Sequence, residues 1–345
     1  MRVLITGGQG QLGRELQRAL SFQRPVGEGL QTLADLSGPE GPDLRDRPPS
    51  NSQKDEGRAS PPEADPPKAE ARHGRSASLK AGPLAFEGAQ VLSTDLPDLD
   101  VTDADAVERA VRQAKPDLVI HAAALTDTSL CEEDPALAMR VNAEGSLHVA
   151  QACRRVDAAM VYVSTNEVFD GPPRREPYGE SDEPRPINAY GRSKLEGERL
   201  VQGTLPRHYV VRTAWLYAEG GDNFPAKVLR AAEGRSELSV VTDEVATPTW
   251  ARDLAPAIIR LAGRPVYGVY HLTNAGYCSR FQWAAEVLRL AGRADVALRP
   301  ITSAEYGAGP PKPPFSALRN EAAARLGITL RPWQEALGEY FGGVG

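Results

Sequence analysis

A short apolar run, Arg2 to Thr6, breaks into Gly7-Gly8-Gln9-Gly10-Gln11-Leu12-Gly13, and a helical pattern with Leu16 and Leu20 turned inward follows from Arg14 to Leu20. No other stretch restricts the fold so tightly. Glycines at that spacing let the backbone turn sharply off a strand. They also leave the first amides of the helix, at the positive end of its dipole, open to a phosphate. Gly7, Gly10, Gln11, Leu12 and Gly13 are therefore expected to hold the pyrophosphate of a dinucleotide, in a chain whose other strands run parallel to the first.

Those other strands are legible further on. Ala89 to Thr94, Leu118 to His121, Ala159 to Val163 and Tyr209 to Arg212 read as strands. Helical patterns fall between them: Ala104 to about Ala114, a long helix from Asp134-Pro135 through Asn142 to Cys153, and the stretch around Tyr190. Asp134 followed by Pro135 is an N-cap acid with proline in the first helical position. The alternation predicts an α/β fold, a Rossmann-like doubly wound parallel sheet, over residues 1–212. Beyond Arg212 the pattern loosens into Trp215-Leu-Tyr, a helix from about Phe224 to Ala232 and a loop from Asp243 to Thr249. Strand-like Val269 to Leu272, helices Phe281 to Leu290 and Gln334 to Phe341, and Pro310 to Ser316 come after. Residues 213–345 are read as a smaller substrate-binding lobe, parts of it returning to the sheet, that caps the carboxyl edge and leaves a cleft.

Two features of the first half need separate treatment. From about residue 26 to 86 the chain is rich in proline, glycine and charge, without apolar periodicity, and is read as a disordered insertion in a βαβ unit. Long flexible loops close at little extra entropy, so the sheet can host it. The acid that holds the adenosine ribose normally closes the second strand about 20 residues past the glycines. Asp35 and Asp95 both qualify, and Asp95 is preferred because its strand runs directly on into Leu99-Asp100-Val101.

Candidate chemistry lies at the carboxyl ends of the strands, where open α/β sheets place ligands. Ala122, Ala123 and Ala124 leave room for a cofactor to pass, and Ser164-Thr165 ends the next strand. Tyr190 and Lys194 stand one helical turn apart, so the ammonium is expected to sit near the phenol and lower its pKa, making a proton donor.

Composition narrows the function. The chain has 345 residues, 41% hydrophobic and 25% charged, with a net charge of -6, which suits a globular enzyme and gives no footprint for nucleic acid. No basic, apolar leader and no window of about 18 apolar residues is present, so neither export nor a membrane span is expected. Three widely spaced cysteines suit reduced thiols in the cytoplasm, and no His or Cys cluster has metal-ligand spacing.

With these pieces in place, the chain resembles the extended short-chain dehydrogenase/reductases, and within them the dTDP-4-dehydrorhamnose reductases, over nearly everything except about 26–86. The motifs are Thr6-Gly-Gly-Gln-Gly-Gln-Leu-Gly13, Leu99-Asp-Val-Thr-Asp103, Ala122-Ala-Ala-Leu-Thr126, Ser164-Thr-Asn-Glu-Val-Phe-Asp-Gly171, Asn188-Ala-Tyr-Gly-Arg-Ser-Lys-Leu-Glu-Gly-Glu198, Arg212-Thr-Ala-Trp-Leu-Tyr217 and Lys312-Pro-Pro-Phe-Ser316. The resemblance implies a catalytic trio of Thr165, Tyr190 and Lys194, with Trp215 beside the sugar; Glu167, at a position where the family's residue faces the substrate, is a candidate substrate contact. Asp95, Asp100, Val101, the three alanines, Thr126, Tyr190 and Lys194 would join the glycine turn around NADP(H), with NAD(H) also used.

The implied reaction is reduction of the 4-keto group of a dTDP-6-deoxy sugar, dTDP-4-dehydrorhamnose to dTDP-L-rhamnose, by a cytoplasmic enzyme; a homodimer is left open. Departures from the pattern lie at Ser129, Asn166, Glu167, Glu244 and Ala246, where an acid, Asp, Tyr, Gln and Gly are usual. They bear on which sugar is bound, and Glu167 facing inward or outward is left open. Two alternatives remain at this level: an epimerase or dehydratase that returns its hydride, and a catalytically silent binding subunit of the same fold.

Overall fold

The computed structural model describes residues 1–21, the backbone of 31–32, and residues 86–171, 176–307 and 309–342. All belong to one compact unit formed by Met1–Leu36 and Pro83–Gly345; Ser37–Gly82 lies outside the described residues.

The nucleotide-side elements alternate as expected: β1 (Arg2–Thr6), α1 (Gln11–Ser21), β2 (Gln31–Thr32), β3 (Gln90–Thr94), α2 (Ala104–Ala114), β4 (Leu118–His121), α3 (Thr128–Glu133), α4 (Pro135–Met139), α5 (Gly145–Arg155), β5 (Ala159–Thr165), α6 (Ala189–Thr204) and β6 (His208–Thr213). After them come β7 (Leu216–Tyr217), α7 (Phe224–Ala232), β8 (Glu237–Val241), β9 (Val245–Ala246), β10 (Thr249–Trp250), α8 (Ala251–Ala262) and β11 (Gly268–His271). The chain ends through β12 (Cys278–Ser279), α9 (Arg280–Leu290), β13 (Ala297–Ile301), α10 (Ser303–Tyr306), α11 (Glu321–Arg325) and α12 (Trp333–Gly342).

Seven strands form one sheet in the order β11-β6-β5-β4-β1-β3-β2, every neighbouring pair parallel. The chain starts in the middle at β1, runs out to one edge and returns to β4, so the crevice at the carboxyl ends of β1 and β4 is the reversal point where such sheets bind ligands. Val3, Leu4 and Ile5 are fully buried because both faces are covered, which is why β1 reads as an unbroken apolar run. On one face Leu12, Leu16 and Leu20 of α1, spaced i, i+4, i+8, meet Leu254, Ile258 and Leu261 of α8. On the other, Val107 and Val111 of α2 and Val149 of α5 pack on Leu4, Val119 and Met160. A third apolar cluster, with Tyr217, Trp250, Trp283, Trp333 and Leu337, holds the later elements together. Burying one such leucine contributes about 1.5 to 3 kcal/mol.

Three expectations need correction. Gln31–Thr32 pairs with Leu92–Ser93, and Phe86 is buried in the first core, so the stretch read as structureless supplies an edge strand and a core residue at its borders. The rest of that reading falls outside the described residues. Val269 to Leu272 does not cap the carboxyl edge: β11 pairs with β6 and closes the sheet, in the register Gly268 to Tyr209 through His271 to Arg212. The helix expected from 135 to 153 is interrupted by a π turn, Arg140–Glu144, whose extra residue re-aims Asn142.

Candidate active site

The glycine turn is fixed by its neighbours. Gly7 adopts φ +73°, and a Cβ there would lie 2.5 Å from the amide nitrogen of Ala123; at Gly13 it would lie 2.1 Å from the Gly7 carbonyl oxygen. Neither position admits a side chain while α1 starts this close to β1 and β4. Gly8 N donates to Thr94 O at 3.1 Å and Gln9 N to Asp95 Oδ2 at 2.9 Å, tying the turn to the end of β3. Asp95 follows the strand next to β1. The strand before Asp35 is the outer one, and Asp35 itself lies outside the described residues.

A cleft of about 1060 Å³ opens at these strand ends. Gly7, Gly10, Gln11, Leu12, Gly13, Asp95, Asp100, Val101, Ala122, Ala123, Ala124 and Thr126 line one part of it, and Thr165, Glu167, Tyr190, Lys194 and Trp215 another. Apart from Asp35, the residues singled out in the sequence for cofactor, substrate or catalysis thus meet in one cavity. Of the departing positions, Asn166 and Glu167 also line it, whereas Ser129, Glu244 and Ala246 do not.

Helix α6 delivers the tyrosine and lysine. Asn188 caps it, Oδ1 accepting from Gly191 N at 2.7 Å, while Ala189 N donates to Glu132 at 2.8 Å. Tyr190 and Thr165 both line the cleft, and the Thr165 hydroxyl acts on the tyrosine's titration. Lys194 is buried, its Nζ 4.2 Å above the Tyr162 ring, one helical turn before Glu198. Burial pulls its pKa down to about 7, against the pull of Glu198.

The expected lowering of the Tyr190 pKa is not found. Burial raises it, the Glu167 carboxylate adds to the rise, and only the Thr165 hydrogen bond opposes them. Desolvation of the phenolate dominates, so the phenol is held protonated.

Glu167 turns inward. Its side chain is 13% exposed, Asn188 Nδ2 donates to Oε2 at 2.7 Å, and Lys312 Nζ lies 3.2 Å from Oε1. Lys312 also donates to Thr128 at 2.9 Å, and Asn166 Nδ2 donates to Ser316 Oγ at 2.7 Å. Both unusual residues after Thr165 therefore fasten the segment around 311–316 beside the tyrosine. Trp215 has φ +40°, a strained backbone of the kind found at functional sites.

Two contributors were missed from sequence. Asn142, in the π turn, accepts from Leu125 N at 2.8 Å and donates to Leu125 O and to Ser193 Oγ, both at 3.0 Å, joining the loop after β4 to the residue before Lys194. A polar residue inside a buried helical run was the available signal. Arg280 lines the cleft from the start of α9 with its guanidinium 3.6 Å from the Trp215 ring centre, and no motif marked it. Among the described residues no three His, Cys, Asp or Glu side chains converge as a metal site would require, and no helix is long and apolar enough to cross a membrane.

A parallel sheet that opens onto a glycine cradle at its reversal point, with a tyrosine and a buried lysine one turn apart at the same edge, is that of a nucleotide-dependent oxidoreductase of Rossmann type. Residues 81–344 match the RmlD substrate binding domain family, and the chain belongs to that family. It is 40% identical over 260 residues to the dTDP-4-dehydrorhamnose reductase of Mycolicibacterium smegmatis, a match covering 74% of this chain and 79% of the relative. The crystal structure of a dTDP-4-dehydrorhamnose reductase from Clostridium acetobutylicum superposes with a TM-score of 0.77 at 34% identity, covering 100% of this chain and 99% of that one. That of the Bacillus anthracis dTDP-4-dehydrorhamnose reductase in complex with NADP gives 0.76 at 30% identity, covering 99% and 98%.

Proposed function

We propose that this chain reduces the 4-keto group of a dTDP-6-deoxy sugar with a reduced nicotinamide cofactor, dTDP-4-dehydrorhamnose being converted to dTDP-L-rhamnose. The observation that carries the reading is the convergence of Thr165, Tyr190 and Lys194 on the same cleft as the glycine turn, in a member of this family.

The residues fit a dinucleotide. The two glycines leave no side chain over the amides at the head of α1, and Gln11 Oε1 and Thr94 Oγ1 are buried there without a partner among the described residues. Asp95 would hold the adenosine ribose. Its carboxylate disfavours a 2′-phosphate, yet the relative bound to NADP shares this frame, so use of both NADPH and NADH is expected, NADPH first. Bound there, the reduced nicotinamide supplies the hydride.

This chain's own side chains do the rest. Thr165 hydrogen-bonds the ketone oxygen and fixes its angle. Tyr190, held protonated, gives its phenolic proton to the oxygen as it becomes an alkoxide, so hydride and proton together yield the alcohol. Lys194 holds the nicotinamide ribose and offsets charge left on the phenolate. Residues 1–212 hold the dinucleotide and supply the catalytic trio, and 213–345 contribute Trp215, Lys227, Arg280 and Lys312 to the substrate end.

The test is stoichiometric. Purified protein given dTDP-4-dehydrorhamnose and NADPH should lose one equivalent of absorbance at 340 nm per sugar reduced. Product formed without net loss would favour an enzyme that returns its hydride. Tyr190→Phe should lower turnover by about 100- to 10,000-fold with cofactor binding retained; unchanged turnover would remove the tyrosine from the mechanism.

A further inference from the structure

Arg280 is the charge in the cleft whose surroundings are least explained by the reaction above. It opens α9, whose start is locked by a capping box between Ser279 and Gln282, and its own amide donates to Glu244 O at 3.1 Å. The position of its backbone is therefore settled before any ligand arrives. Its guanidinium carbon lies 3.6 Å from the ring centre of Trp215, 4.9 Å from Phe224 and 5.7 Å from Trp283. Those rings support one another: Trp215 and Trp283 are parallel within 5° at 5.4 Å, and Phe224 stacks on Trp283 at 4.6 Å. A planar cation on such a platform is held flat, and its in-plane donors are presented edge-on.

Only 20% of the Arg280 side chain is exposed. Its ionic partner is Glu244, reached through Nε at 3.4 Å, which is long for a charge-assisted bond. Neither Nη group has a hydrogen-bond partner among the described residues. A charge this far removed from water, with one long contact, retains binding capacity for a second anion. Nearby Lys227, which also lines the cleft, is already matched to Asp222 at 3.3 Å.

We propose that Arg280 is a substrate-binding and specificity-determining residue that takes the diphosphate of the sugar nucleotide on its Nη edge. The proposal rests on the reductase reading above and adds to it the group that recognises the nucleotide half of the substrate. A dinucleotide's own pyrophosphate has the open amides of the glycine turn, and the buried Lys194 is placed beside Tyr190; at the Trp215 end of the cleft Arg280 is the largely buried cation with both Nη groups unbound among the described residues. A guanidinium fork matches two phosphate oxygens at once, which an ammonium cannot do.

The experiment measures binding rather than turnover, on the full-length protein: thymidine diphosphate, thymidine and NADPH against the parent, Arg280→Met and Arg280→Lys. Arg280→Met should weaken thymidine diphosphate by about 10- to 100-fold, as expected for loss of charge-assisted hydrogen bonds, with thymidine and NADPH within twofold of the parent. Arg280→Lys should fall between, and it carries the test alone if the methionine variant does not fold. Equal weakening of thymidine and its diphosphate would mean that Arg280 only braces Trp215; weakening of NADPH would assign the anion to the cofactor; no change would remove Arg280 from the site. Each of these overturns the proposal. A parent protein that binds NADPH but not thymidine diphosphate would instead sink the reductase reading itself.

Discussion

Glu198 lies one turn beyond Lys194 on α6, and removing its carboxylate offers a sharp energetic test. Its side chain is 1% exposed, and that of its partner Arg212 is 5% exposed. Arg212 donates to both oxygens, at 2.9 and 2.7 Å, and the Ser164 hydroxyl donates to Oε1 at 2.5 Å. Glu198→Ala leaves a guanidinium without counter-charge inside the protein, and Arg212 Nη1 already lacks a partner among the described residues. Breaking a buried pair from one side costs about 3 to 5 kcal/mol. The stranded Ser164 hydroxyl adds about 1 kcal/mol. Of a total stability of about 5 to 15 kcal/mol, the variant should thus lose roughly a third or more. In urea, with a slope of about 2 to 3 kcal/mol per M, the midpoint should fall by about 2 M. Adding Arg212→Met should recover most of the loss, since replacing both charges by apolar groups is often near neutral. A loss under 1 kcal/mol in Glu198→Ala, or a double variant no more stable than the single, would refute the argument. The same substitution removes the charge that pulls the Lys194 pKa upward, so that pKa should drop further below about 7.

Other expectations follow from the same geometry. Asp95→Ala should raise the ratio of kcat/KM for NADPH over NADH, and an unchanged ratio would place Asp95 away from the ribose. Glu167→Gln removes a charge that raises the Tyr190 pKa, so the alkaline fall in kcat should move to lower pH; a profile superposable on the parent's would show that the carboxylate does not act on the proton donor. His121 and His271 are held neutral, each lowered to about 3 mainly by burial. Between about pH 6.5 and 3 the unfolded chain binds more protons than the folded one at both positions, so stability should fall as pH drops, by about 2 kcal/mol per histidine at pH 5. Urea unfolding at pH 7.5 and 5 checks this, and a difference under 1 kcal/mol would contradict the burial of both rings.

The sequence made the nucleotide half readable because its signals are local. Glycines at Gly7, Gly10 and Gly13 force a turn, and Asp103 announces the start of α2, which runs from Ala104 to Ala114 as expected. What it could not reveal depends on through-space balance. The Tyr190 pKa was expected to fall because a lysine stands one turn away. The structure raises it, because burial disfavours the phenolate and the Glu167 carboxylate adds to the rise. Glu167 could have faced either way; its direction is set by Lys312 and Asn188, far off in sequence. Helix α8 went unread, with Pro256 in its second turn. The strands β8 and β13 pair with each other away from the main sheet and expose many of their residues, so they lack the apolar runs that marked the other strands.

Because α8 covers the apolar stripe of α1, and β11 closes the sheet beside β6, the order of synthesis matters. When the ribosome has passed Thr213, the emerging sheet has an open edge at β6 and Leu12, Leu16 and Leu20 lack the helix that shields them. About sixty more residues must appear before β11 is complete. At about 5 to 20 residues per second, that interval lasts some seconds, during which the nascent chain presents a sticky strand and an oily surface to its surroundings. A chain truncated in that window is therefore expected to yield a product prone to clump rather than a working cofactor-binding half.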